Sequence, residues 1–146
     1  MTTLDDAVAL ARDESGLVVV STVRADGSVQ ASLVNAGVIA HPETGDPVLA
    51  FITYGKVKLT NLRARPALAA TFRSGWRWAT VEGHAELAGP DDDAGWLTDS
   101  DHLRLLLREI FTAAGGTHDD WDTYDRVMAE QRRTAVLIAP TRVYSN

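Results

Sequence analysis

The sequence predicts a mainly-β domain with a few helices (α+β), its strands closed into a barrel. Three observations carry this. Five strand-like runs follow one another closely between Leu17 and Leu87. The helical patterns among them are short and do not alternate with the strands, which argues against a doubly wound parallel sheet. A last apolar run, Thr134–Tyr144, comes far along the chain and is placed to close the sheet. No repeat, linker or low-complexity stretch divides the chain, so residues 1–146 are read as one domain, large enough for a proper core.

The elements follow in order. Thr3–Glu14 reads as an amphipathic helix with Leu4, Ala7, Val8, Leu10 and Ala11 as its stripe. Thr3 and Asp6 form a capping box in which Asp replaces Glu, and Gly16 ends the helix. Leu17–Arg24 is a β-branched run, Asp26-Gly27 a hairpin turn, and Val29–Ala40 the returning strand. His41–Pro47 is a loop and Val48–Thr53 a third strand. A short helix follows and must stop near Arg65, because Pro66 disfavours α geometry in the residue before it. Ala67–Arg73 and Trp76–Leu87 are strands joined at Ser74-Gly75. On the second of these, Ala79, Val81, Gly83, Ala85 and Leu87 face inward, opposite Thr80, Glu82, His84 and Glu86. Gly89-Pro90 and the three aspartates Asp91–Asp93 open a helical region with Leu103, Leu106, Leu107, Ile110 and Phe111 as its stripe. Gly115-Gly116 breaks it. Asp119 or Asp120 caps a second helix through Arg133, and Pro140 marks an edge or bulge in the final strand.

Composition excludes several function classes. The net charge of −6 argues against general nucleic-acid binding. With no cysteine there is neither a disulfide nor thiolate chemistry. The N-terminus lacks a basic n-region and a long apolar run, so no signal peptide is expected. No stretch approaches the roughly 20 apolar residues of a membrane span. The expected location is the cytoplasm.

The stretch Thr53–Pro66 carries the functional signal. Of fourteen basic residues only Lys56 and Lys58 are lysines, and both stand just after Gly55 at the start of the short helix. Between Asp46 and Glu82 there is no acidic residue, but there are Lys56, Lys58, Arg63, Arg65, Arg73 and Arg77. A +6 block inside an acidic chain is a focused field for an anion. A helix N-terminus adds partial positive charge and unpaired N–H groups. A lysine there costs about 0.3–1 kcal/mol unless an anion answers it, and phosphates and carboxylates do so readily. Lys58, Asn61 and Arg65 share one helical sector, with Leu59 and Leu62 beside it as anchors. The competing reading is a solvated basic face.

Other chemistry is missing. There is no G-x-G-x-x-G, P-loop or G-x-S-x-G. His41, His84, His102 and His118 are scattered without metal-ligand spacing, so no metal site is expected. His118-Asp119-Asp120 reads as a helix cap, and Glu82 with Glu86 as a solvated pair. No catalytic side chain is therefore nominated, and an organic cofactor would carry the chemistry. Trp76 and Trp78 alternate on one strand and share its outer face. Their cover is either a partner subunit or helix, or a flat conjugated ring.

These residues resemble a known family. Thr53, Gly55-Lys56-Val57-Lys58, Asn61-Leu62-Arg63, Pro66 and Phe72 look like the cofactor-anchoring segment of split β-barrel flavin and deazaflavin oxidoreductases, the relatives of pyridoxamine 5′-phosphate oxidase. Val81–Leu87 resembles the strand that follows it. Asp120-Trp121, Tyr124, Arg132-Arg133 and Pro140–Tyr144 resemble the C-terminal part of the actinobacterial deazaflavin-dependent branch. The resemblance implies a homodimer of six-stranded split barrels of the FMN-binding type, with a cofactor in each of two clefts between subunits. It implies that Lys56 and Lys58 hold the cofactor phosphate and that Asn61 helps. Thr53 and Asn35 would flank the ring. Trp76 and Arg77 would cover the tail or substrate side, from the same or the other subunit, and Arg133 is a further contributor.

FMN enzymes of the family usually place an arginine on the second or third strand, against the phosphate. Here Ser32–Ala40 is uncharged, which weakens FMN. Coenzyme F420 has a phosphodiester and a polyglutamate tail and needs an extended cationic groove. Lys56, Lys58, Arg63, Arg65 and Arg77 could supply it, although the branch more commonly has arginine at the position of Lys56. The resemblance thus implies an F420-dependent reductase acting on a conjugated small-molecule substrate such as an enone, a quinone-like compound or a tetrapyrrole. The alternatives are an FMN-dependent oxidoreductase and a non-catalytic F420 carrier.

Overall fold

In the computed structural model, which describes residues 1–146, six antiparallel strands close into a barrel. Helix α1 (Leu4–Leu10) leads through a 3-10 turn (Ala11–Glu14) into β1 (Leu17–Val23), β2 (Val29–Ala40) and β3 (Pro47–Thr53). Then come α2 (Lys56–Ala64), β4 (Ala67–Ser74), β5 (Arg77–Ala88), α3 (Ser100–Ala113), α4 (Trp121–Glu130) and β6 (Thr134–Ser145). Around the barrel the order is β1-β2-β3-β6-β5-β4, and β4 pairs back onto β1. The first five strands alone would leave β3 and β5 as open edges. The late strand fills that gap, pairing Thr134–Ile138 with β3 and its length from Ala135 to Ser145 with β5. No helix is long and apolar enough to cross a membrane.

Side-chain alternation sorts the apolar residues into two cores. The barrel interior holds Val18, Val20, Leu49, Phe51, Phe72, Val81, Val136 and Ile138, with Ala7 and Ala11 entering from the α1 segment and Leu62 from α2. The second core lies outside the barrel. There α3 and α4 cover the outer side chains of β2, β3 and β6 with Leu106, Leu107, Ile110 and Tyr124 against Ile39, Val48, Ala50 and Leu137. At Gly37 the two layers touch: a Cβ there would sit 2.4 Å from the Ala113 carbonyl, so only glycine lets α3 come this close.

Local chemistry explains the boundaries. The Thr3–Asp6 capping box forms in both directions. Asp120, of the two candidates, caps α4 by accepting from the Thr123 N–H at 3.1 Å. Pro140 sits beside a bulge. Glu82 pairs with Arg142 and Gly83 with Pro140, leaving Thr141 as the extra residue, and β3 has already ended its pairing at Ile138.

Three expectations need correction. The aspartates Asp91–Asp93 do not open a helix, because Asp91 pairs with Arg132 and Asp92 with Arg63 in an irregular turn. Asp99 is the real cap of α3 and accepts from the His102 N–H at 2.8 Å. Trp76 belongs to the β4–β5 turn rather than to the strand and is 95 % exposed, so it does not share a strand face with Trp78. Finally, α4 stops at Glu130. Arg132 takes the left-handed conformation (φ 51°), and Arg132 N–H and Arg133 N–H donate to Ala129 and Met128 carbonyls. That is a Schellman ending with arginine in the glycine position.

Candidate functional site

Helix α2 crosses the barrel end formed by the close of β1 and the start of β4. Arg65 donates to the Val23 carbonyl at 2.8 Å, and the Asn61 amide donates to Thr22 Oγ1 at 3.0 Å. Thr22 passes the chain on to Gln30 at 3.3 Å. The sector Lys58, Asn61 and Arg65 therefore turns inward rather than to solvent. Lys58 is only 7 % exposed, its Nζ 5.8 Å from the centroid of the Phe51 ring. It has no carboxylate and no hydrogen-bond acceptor, and burial lowers its pKa. A partly desolvated, unpaired ammonium carries a cost, and an anion is the natural remedy.

The first turn of α2 points to the same need. Gly55 at its N-cap offers no side-chain acceptor, and the turn contains no acidic residue. Thr53 is buried and its hydroxyl accepts from the Gly55 N–H at 3.1 Å, which fixes how the strand enters the helix. Lys56 is exposed beside it.

A cleft of about 490 Å³ opens on the outer side of the sheet, reaching the α2 segment only through Ile52, one residue before Thr53; no side chain of α2 lines it. Ile52, Ile110, Phe111, Tyr124 and Met128 make its apolar walls, while Asn35 and Arg133 stand on its border. Asn35 is held by donating to the Ser15 carbonyl at 2.8 Å. Arg133 lies 4.1 Å over the ring of Tyr54 and donates to Gln131 Oε1 at 2.8 Å. Burial pushes the Tyr124 phenol up to about 12, and its hydroxyl donates to the Leu107 carbonyl, so it is a structural donor at neutral pH.

The structure brings Thr53, Lys56, Lys58 and Asn61 together on β3–α2, and it brings Asn35 and Arg133 to one cleft. Thr53 pairs directly with Thr134, which links the two groups. Trp76 and Arg77 lie elsewhere, at the opposite barrel end, where Arg77 borders a hollow with Met1, Asp6 and Asn146. Within one chain they cannot reach Lys58. The remaining cations of the basic block are also dispersed: Arg63 is held bidentately by Asp92 at 2.8 and 2.7 Å, and Arg73 bonds the Gly75 carbonyl. Tyr54, Ile52, Phe111 and Met128 were missed. The last three carry ordinary core signals in sequence, and only the edge of the helical layer makes them a wall.

The barrel's uncovered outer face carries several exposed apolar side chains. Val19 and Leu33 are register partners on β1 and β2, and Val29, Trp78 and Tyr144 are exposed with them. This face meets the cleft at Asn35, whose partner is Leu17.

A family model for pyridoxamine 5′-phosphate oxidase matches residues 4–146. Among solved structures, a conserved hypothetical protein of Mycobacterium tuberculosis superposes with a TM-score of 0.68 at 18% identity, over 99% of this chain and 84% of the other. A protein described as an F420 reductase gives 0.58 at 19%, over 89% and 90%. A pyridoxamine 5′-phosphate oxidase-related, FMN-binding protein of Nostoc punctiforme gives 0.60 at 16%, over 99% and 86%. At these identities the structures share the fold. The sequence match over nearly the whole chain and the six-stranded barrel agree: this chain belongs to the pyridoxamine 5′-phosphate oxidase family.

Proposed function

We propose that this protein is a reductase that moves hydride from reduced coenzyme F420 to a conjugated, electron-poor acceptor such as an enone, a quinone-like compound or a tetrapyrrole. The observation that supports it is the unpaired, buried Lys58 beside the uncapped first turn of α2. An anionic group fits that cradle: it would satisfy the ammonium and the free N–H groups together. Lys56 adds a second, solvent-facing charge. The neighbouring cleft suits a flat ring, with Ile52 and Phe111 as walls and Asn35 at the edge. When bound, the deazaflavin supplies the hydride. The chain's own work is to hold the anionic end, orient the ring and keep water off one face, since hydride transfer needs stacking at near-attack distance more than an acid or base.

A second copy of the chain completes the reading. The apolar outer face around Val19 and Leu33 would bury against its equivalent, and that copy would form the missing wall beside Asn35. Trp76 and Arg77, too far away within one chain, would then reach the cleft from the partner subunit. FMN is the competing cofactor, and the uncharged Ser32–Gly37 stretch beside the cleft disfavours it.

Turnover tests the proposal. Purified protein given reduced F420 and a panel of conjugated acceptors should oxidise the cofactor with at least one of them. Binding of F420 without oxidation by any acceptor would reassign the protein as a carrier, and a yellow protein carrying FMN would reassign the cofactor.

A further inference from the structure

A second cavity of about 540 Å³ lies on the far side of the wall made by Tyr124, Met128 and Arg133. It sits between α3, α4 and the segment that joins β5 to α3. Leu97, Leu103, Leu107 and Ala129 give it an apolar floor, and nothing in the proposed hydride transfer uses it.

Its charges are unevenly answered. Asp125 receives Arg108 at 2.9 and 2.5 Å and Arg104 at 3.3 Å, and Arg104 also meets Asp101. Arg132 bonds Asp91 at 2.5 Å. Asp99 is occupied as the cap of α3. Arg133 alone among the cavity's arginines has no carboxylate. Its Nε–H goes to the neutral Gln131 amide oxygen and its face rests on Tyr54, which leaves its terminal N–H groups free. The Schellman ending of α4, held by a non-glycine residue in the left-handed region, sends Arg132 to Asp91 and leaves Arg133 at the cavity wall. A guanidinium with a free fork matches a planar anion bidentately.

We infer that this cavity binds a carboxylic acid with an apolar body, its chain on Leu97, Leu103 and Leu107 and its carboxylate on Arg133. The inference assigns Arg133 to this cavity rather than to the cofactor.

The test uses the full-length protein, 1-anilinonaphthalene-8-sulfonate as fluorescent probe, and decanoate and decanol as competitors. Decanoate should displace the probe about tenfold more effectively than decanol. Arg133→Gln should abolish that difference by weakening decanoate alone, as expected for loss of a charge-assisted pair. Ala129→Trp, at an exposed position that lines only this cavity, should weaken both. Lys58→Met should change neither, while it weakens the cofactor, so failure here and failure of the cofactor reading are separable. Equal displacement by acid and alcohol, unchanged decanoate affinity in Arg133→Gln, or no displacement at all would overturn the inference. Should Ala129→Trp not fold, Ala129→Leu, a smaller intrusion at the same position, takes its place and should weaken both ligands.

Discussion

Among single residues, Lys58 is the charged side chain that the barrel buries without a partner. Its Nζ stands 5.8 Å from the centroid of the Phe51 ring, and its largely buried side chain has gained no hydrogen-bond or ion-pair partner. Lys58→Met keeps the length and removes the charge, so the unliganded protein should become more stable by about 1 kcal/mol, read by urea unfolding. The pH dependence follows from burial lowering the pKa below 10.5. Below the folded-state pKa the lysine's cost is fully present. As pH rises through that pKa towards 10.5 the unfolded chain holds more protons, so folding gains. The stability gap between wild type and Lys58→Met should therefore stay constant at neutral pH and narrow as pH rises through the folded-state pKa towards 10.5. A gap that widens would contradict an unpaired buried amine. The lysine pair was legible in the sequence because it broke the chain's arginine habit. Its inward turn was not legible, because helical periodicity groups Lys58 with Asn61 and Arg65 without saying which side meets the barrel.

At the scale of elements, close approach decides the geometry. Gly37→Ala would put a methyl into the Ala113 backbone and push α3 off β2, at a cost of about 1–3 kcal/mol. Tm should fall, and Trp121 fluorescence should change while the barrel's far-UV signature persists. Asp125 ties α4 to α3. The Arg108 hydrogen bond, then the charges of Arg108 and Arg104, hold its carboxyl below 3.8 against desolvation. That stabilisation is present above the unfolded value and is lost as pH falls through the folded pKa. Acid titration should accordingly release the helical layer, an effect that Asp125→Asn removes from the pH profile. Strand runs and caps were readable here because Thr3–Asp6 and Asp120 act locally. The start of α3 was not, since Asp91 and Asp92 are recruited by Arg132 and Arg63, residues distant in sequence.

At the scale of the whole molecule, barrel closure was readable from one fact, a strand-like run after two helices. What stands on which side of the barrel was not: only pairing shows that Trp76 and Arg77 lie at the end away from Lys58. The bare face around Val19 and Leu33 makes the proposed dimer testable. Sedimentation should give twice the chain mass for wild type, and Leu33→Glu, at an exposed position, should shift it towards monomer while preserving the fold. A monomeric wild type would leave the cleft with one wall and remove Trp76 and Arg77 from it.

The most direct measurement is calorimetric titration of F420 and of FMN into wild type and Lys58→Met. The buried ammonium should contribute a charge-assisted bond of about 1.5–3 kcal/mol to the tighter ligand, with F420 the tighter. Lys58→Met should then weaken F420 by about tenfold or more. Unchanged affinity in a variant that remains folded would mean that the one cation this barrel buries without a partner is not where the cofactor binds.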